Sequence, residues 1–246
     1  MRDIWYADKR DLIKWTTLYH LAHIFKGSLI LQIAFYRKEK QFGKVIIDGQ
    51  EKEIPKEVIS HFRDIHKIRD IKFQVPVKIF DQSFEYKKEE VKHRHNYLLS
   101  AIELLGSYRK EKLIVFLDPD TGLQPKQTKS KTRPKPEHVS EEEVKKIWDE
   151  LKPEDVFVLY QHQTNRNGKS WIEPKKIQLA NAIGLSGNAV KLAYGPDVAK
   201  DVVFFYAQRL NSRPHKKSKL LNLETEKLGH GLISHSLVNS SDCKRR

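Results

Sequence analysis

The chain has 246 residues, 39% of them hydrophobic, which suffices for one sizeable core and falls within the length at which α/β proteins still form a single domain. Lys and Arg number 46 against 32 Asp and Glu, a formal charge of +14, so the expected partner is a polyanion, nucleic acid first, with an evenly charged solvated surface as the plain alternative. The lone Cys243 excludes a disulfide framework and a cysteine-ligated zinc site, and the longest apolar run, SLILQIAFY at 28–36, is too short to cross a bilayer. The N-terminus lacks the continuous apolar core of a signal peptide, so a soluble cytoplasmic protein is expected.

In chain order, Leu12, Trp15, Tyr19 and Ala22 follow helical spacing and predict an amphipathic helix that begins near Asp8 and ends at Gly27. SLILQIAFYR reads as an interior strand. The polar excursion EKQFGKVIIDGQEKEIP carries a turn at Asp48-Gly49, and Pro55 opens a second helix, KEVISHFRDIHKI. A short strand, VPVKIFD at 75–81, precedes a helix over 85–106 with Val91, Tyr97, Leu98, Ile102 and Leu105 available to its buried side. KLIVFLD is the third principal strand. A basic insert, QPKQTKSKTRPKPEH, follows, and then Ser140 and Glu143 have the spacing of a capping box at the start of EEEVKKIWDEL.

DVFVLYQHQ at 155–163 is the next strand, TNRNGKSWIEP a loop and KKIQLANAIG a short helix. The last two strands, AVKLAY and DVVFFYAQ, are joined by GPDVAK, which is too short for a helical crossover, so they pair antiparallel. The pattern predicts an α/β three-layer Rossmann-like sandwich, mostly parallel with a C-terminal antiparallel hairpin, over residues 1–212. The basic polar tail, 213–246, is expected to be loosely ordered.

Ligands of open α/β sheets bind beyond the carboxyl ends of parallel strands. Asp118 and Asp120 lie at such an end, with Pro119 stiffening the link and Gly122 allowing a tight turn, so together they suit a divalent cation such as Mg²⁺ or a substrate amine. Asp118 as a cap of its own turn is the alternative. The next strand ends in Tyr160-Gln161-His162-Gln163. There His162 is a candidate general base or metal ligand, while Gln161 and Gln163 could read a base edge or orient a water; hydrogen bonding at the sheet rim would explain them equally. Arg166, Lys169 and Trp171 in the following loop suit phosphate contact and base stacking, and the basic insert at 126–136 would extend the same rim. WYADKRDLIKW places Trp5, Tyr6, Asp8, Arg10, Asp11, Lys14 and Trp15 around a helix start, where Asp8 and Asp11 suit the positive end of the helix dipole and capping with a hydrophobic anchor explains the group at least as well as a site role. His93 and His95, two apart on a helix, do not share a face and are no metal pair.

The order strand-DPDTG, helix, strand-YQHQ, helix and closing hairpin resembles the second half of a class I S-adenosylmethionine-dependent methyltransferase, over about residues 110–210. In the amino-methylating branch the corresponding strand ends in an Asp-Pro-Pro-aromatic motif that holds the target amine, and Asp118 and Pro119 match its first two residues. The resemblance implies S-adenosylmethionine as cofactor and an enzyme acting on nucleic acid. Asp120 and Thr121 depart from the motif, and the first strand is not followed by a glycine-rich turn. Two other readings follow from the residues: a metal-dependent nuclease or phosphoryl-transfer enzyme using the acidic pair, and a noncatalytic nucleic-acid-binding protein on a degenerate Rossmann scaffold.

Overall fold

Asp8 accepts hydrogen bonds from the Arg10 and Asp11 N–H groups and so caps α1 (Lys9–Phe25). This computed structural model describes residues 8–37, 44–62, 64–71, 75–84, 90–125, 135–163 and 170–211. Helical spacing turns Asp11, Lys14, Trp15, Leu18, Leu21 and Ala22 inward. The helix ends at Phe25, two residues before the expected Gly27, because Lys26 takes the left-handed conformation (φ 52°) and the Gly27 N–H reaches back to Ala22 O. Gly27 is needed for a different reason: a Cβ there would stand 2.8 Å from Ile114.

β1 (Leu29–Ile33) is buried along its whole length. The excursion after it holds a hairpin of β2 (Lys44–Ile47) and β3 (Gln50–Glu53), turning through Asp48 and Gly49, both at positive φ. Both strands are exposed, which is why no burial pattern announced them. The helix expected after Pro55 is broken in two: α2 (Lys56–Phe62) stops, and the Asp64 carboxylate takes the His66 N–H at 2.9 Å to start a 3₁₀ turn over Ile65–Asp70.

β4 (Val77–Phe80), α3 (Glu90–Ser107) and β5 (Leu113–Leu117) follow. The Asp-Pro-Asp-Thr-Gly segment then leads into β6 (Gly122–Leu123), which pairs in parallel with β7 (His138–Val139). α4 (Glu141–Glu150) starts with the expected capping box between Ser140 and Glu143. Arg94 from α3 engages both carboxylate oxygens of that same Glu143, which ties the two helices together. β8 (Val156–His162), α5 (Ile172–Ala182), β9 (Lys191–Ala193) and β10 (Val202–Gln208) complete the body.

The six-stranded sheet has the order β4-β1-β5-β8-β10-β9. Its first four strands are parallel, and β10 runs antiparallel to both β8 and β9. α1 and the 3₁₀ turn cover one face, where Trp15, Leu18, Ile65 and Ile68 meet Ile114, Phe116, Val158 and Phe204. α3, α4 and α5 cover the other, where Tyr97, Trp148 and Leu179 meet Leu31, Val115, Phe157 and Phe205. This is the three-layer Rossmann-like sandwich expected, with its closing antiparallel strands. Among the described residues, no helix is long and apolar enough to cross a membrane. The chain divides into Met1–Leu210 and Asn211–Arg246; apart from Asn211 the second part, and with it the whole expected tail 213–246, lies outside the described residues.

His138 on β7 is buried, and its Nδ1 has no hydrogen-bond partner. Burial holds it below the usual histidine value; Glu137 pulls the other way, and Lys175 adds to the depression. The unfolded chain therefore binds the proton more readily. The stability this group contributes is present above pH of about 6.5 and is lost as pH falls through that value towards the lower folded-state one. Urea midpoints of the wild type should drop between pH 7 and pH 5.5 by more than those of His138→Gln, whereas equal drops would assign the acid sensitivity to other groups.

Candidate functional site

The N-terminal half of α1 lies over the carboxyl ends of β1, β5 and β8 and beside the start of β10. Because Asp11 and Lys14 sit on the stripe that also carries Trp15 and Leu18, α1 brings two charged side chains into the core. Lys14 Nζ donates to Asp11 Oδ1 at 2.6 Å and to Asp118 Oδ2 at 3.0 Å. Gln32, the one polar residue of β1, donates from Nε2 to the same Asp118 oxygen at 2.7 Å. The Lys14 ammonium also lies 5.6 Å from the Tyr160 ring centre and 5.9 Å from that of Phe116.

All four polar residues of this cluster are buried, and Asp118 is 2% exposed. Burial pushes the Lys14 pKa down, but Asp11 and Asp118 outweigh it and leave it above the ordinary lysine value. The lysine is thus a fixed cation, and Asp118 is enclosed beneath α1.

Asp120 takes a different partner, Arg37 just beyond β1, so the two carboxylates of the Asp-Pro-Asp turn are held by different cations. Among the described residues, no group of three or more His, Cys, Asp or Glu is placed to hold a metal ion.

The tips of β5 and β8 do come together. His162 N–H donates to Thr121 O at 2.9 Å. Gln161, fully buried, accepts the Leu123 N–H at 2.9 Å and donates from Nε2 to Thr121 O and His162 O. Gly122 makes room for it: φ is +105°, and a Cβ there would stand 2.4 Å from Gln161 Oε1. Gln161 therefore braces the turn from within, and its amide is committed to backbone. Lys175 on α5 braces the far end of the turn through Leu123 O at 2.8 Å and Gln124 O at 3.3 Å.

His162 is half-buried on the α1 side. Its Nε2 lies 3.1 Å from Asp201 Oδ2 and its Nδ1 2.9 Å from Gln163 O. Arg10 donates to the same Asp201 oxygen from Nη2 at 2.6 Å and from Nε at 3.2 Å, and it reaches Asp8 as well. The hydrogen bond and charge of Asp201 raise Arg10 above its ordinary value. Burial works to raise Asp201, but Arg10 overrides it and holds the carboxyl below the usual range. Both ring nitrogens of His162 thus face oxygen acceptors.

Gln163 extends the β8 tip, its N–H donating to Asp201 O. Trp171 lies at the start of α5 and packs against the core on the opposite face of the sheet from Lys14. Arg166, Lys169, Trp5, Tyr6 and the basic stretch 126–134 lie outside the described residues. Helical spacing leaves Asp11 and Lys14 between capping and a site role, and it does not single out Gln32 or Asp201. A glutamine inside LILQI and a lysine on the Trp15/Leu18 stripe are the signals of a buried polar partnership.

The position implied for S-adenosylmethionine does not fit the residues present. A nucleotide-like cofactor needs close backbone approach beyond β1, at the point where the chain crosses to opposite sides of that strand. Phe35 stands there with φ at +46°, buried, its ring packed among Phe84 and Tyr97. Its N–H, the donor a cofactor would use, is taken by the Tyr97 hydroxyl at 2.8 Å.

Charge is divided unevenly along the chain. Over the described residues 25 Lys and Arg balance 25 Asp and Glu, so the other 21 basic and 7 acidic residues carry the whole +14. Two of the basic stretches, 126–134 with four basic and no acidic residues and 164–169 with two and none, interrupt the chain after Pro125 and after Gln163. The first stretch follows β6, beyond the turn that leaves β5, and the second follows β8.

Fold and site together define a Rossmann-like α/β protein with a braced acidic turn at its central strand. Comparison of the chain with protein-family models, with curated proteins and with solved structures returned no match.

Proposed function

We propose that this protein binds nucleic acid along the carboxyl edge of its sheet, and that the Asp-Pro-Asp turn is a structural bracket of that edge. The observation that carries the reading is the placement of charge along the chain: the described residues hold equal numbers of acids and bases, while stretches with basic and no acidic residues follow β6 and β8 in sequence. The enclosure of Asp118 by Lys14 and Gln32 supports a structural role for the turn. Phosphate neutralisation releases counterions, so affinity in gel-shift titrations should fall at least about tenfold between 50 and 200 mM salt. Arg166→Ala with Lys169→Ala should flatten the log–log slope by roughly one to two. An affinity indifferent to salt would refute the reading.

A second reading, an enzyme acting on nucleic acid, is favoured by one observation: the half-exposed His162–Asp201–Arg10 chain beside the β8 tip. Labelled oligonucleotides incubated with the protein and Mg²⁺, Mn²⁺ or S-adenosylmethionine test it. A product that forms with the wild type and not with His162→Ala would establish the enzyme; no product with any of the three would leave the binder.

A further inference from the structure

The same edge of the sheet holds, beyond β4, a set of polar groups that the fold does not use. Gln82, Ser83 and Phe84 leave β4, and α3 faces them with His93, Asn96, Tyr97 and Ser100; together they line a groove of about 380 Å³. Phe84 and Tyr97 are buried and meet edge to face, ring centres 5.0 Å apart, at its base. The Tyr97 hydroxyl is engaged by the Phe35 N–H. By contrast, the side chains of Gln82, Ser83, His93, Asn96 and Ser100 make no hydrogen bond or ion pair among the described residues.

Residues 93, 96 and 100 share one face of α3, since they stand three and four apart. Five side chains with unused donors and acceptors therefore converge from a helix and a loop. Among the described residues, none that line the groove is Asp, Glu, Lys or Arg, so their recognition chemistry is that of neutral donors and acceptors. His66 and Asp81, just before Gln82, engage each other at 2.9 Å.

We infer that this groove binds a nucleobase. Each primary amide presents a donor beside an acceptor, which matches the paired donor and acceptor edge of a base, and the largely buried Phe84 and Tyr97 give the groove an apolar floor. The volume accommodates one base with its sugar and falls within the range of small-molecule sites, roughly 300–1,000 Å³. The base can come from a free nucleoside or from an unpaired position in a bound strand. The second source rests on the function proposed above and the first does not.

The full chain, isotopically labelled, would be titrated separately with adenosine, guanosine, cytidine and uridine, and with a short single-stranded oligonucleotide, following the side-chain amide signals of Gln82 and Asn96. Saturable shifts are expected with at least one of these, and Gln82→Leu and Asn96→Leu should each weaken binding by about tenfold. Both positions are exposed, so unchanged unfolding midpoints would confirm that the variants fold. Shifts with nucleosides alone identify a free nucleoside as the ligand; shifts with the oligonucleotide alone identify a base of a bound strand. Amide signals silent to all five ligands, or affinities unchanged in both leucine variants, would overturn the inference. Loss of the salt-dependent gel shift with nucleoside shifts intact would refute the proposed function and leave the groove standing.

Discussion

Lys14→Met should destabilise the fold by about 3–5 kcal/mol, because it removes the cation from a buried ion pair and leaves its partners behind. Asp11 and Asp118 would then face each other across the space that Lys14 Nζ now bridges at 2.6 and 3.0 Å. Methionine keeps the length and much of the packing of the lysine stem, so the loss reports on charge more than on volume. Urea unfolding at neutral pH measures it, and adding Asp118→Asn to the variant should recover part of the loss. A cost under about 1 kcal/mol would mean that the three groups are not coupled as described.

Gly122→Ala should cost roughly 3 kcal/mol, combining an unfavourable backbone conformation with overpacking against a braced side chain. Gln161 cannot move aside cheaply, since its amide holds Leu123 N–H, Thr121 O and His162 O. Gly184→Ala is the control: φ there is also positive, +69°, but nothing stands within 4 Å of the added carbon, so the cost should stay near 1 kcal/mol. Equal unfolding midpoints for the two variants would remove the argument that Gln161 braces the turn.

The apolar strands were legible because burial on both faces writes itself as unbroken runs such as LIVFL and VFVLY. The Ser140/Glu143 cap was legible because its chemistry is local. Strand order was not, since nothing in VVFFYAQ states that β10 enters between β8 and β9, although a strand so apolar suits an interior position. The exposed β2/β3 hairpin escaped notice apart from its Asp48-Gly49 turn, because neither strand has a buried face to create alternation.

At the site, Asp118 stood out as an acid closing a buried strand, but the partner that explains it comes 104 positions earlier in the chain. Proximity of that kind is decided by tertiary packing and has no local signature. The same holds for His162 and Asp201, 39 positions apart. Asp120 pairs with Asp118 by spacing alone in the sequence; in the fold it meets Arg37 while Asp118 meets Lys14.

Equal numbers of acids and bases among the described residues distinguish two properties that are usually entangled. These elements add no net charge of their own, so the share of folding free energy that they carry should respond weakly to ionic strength, whereas the polyanion capture proposed above should respond steeply. On that proposal, electrolyte alone would govern loading and release with little change in the stability of these elements.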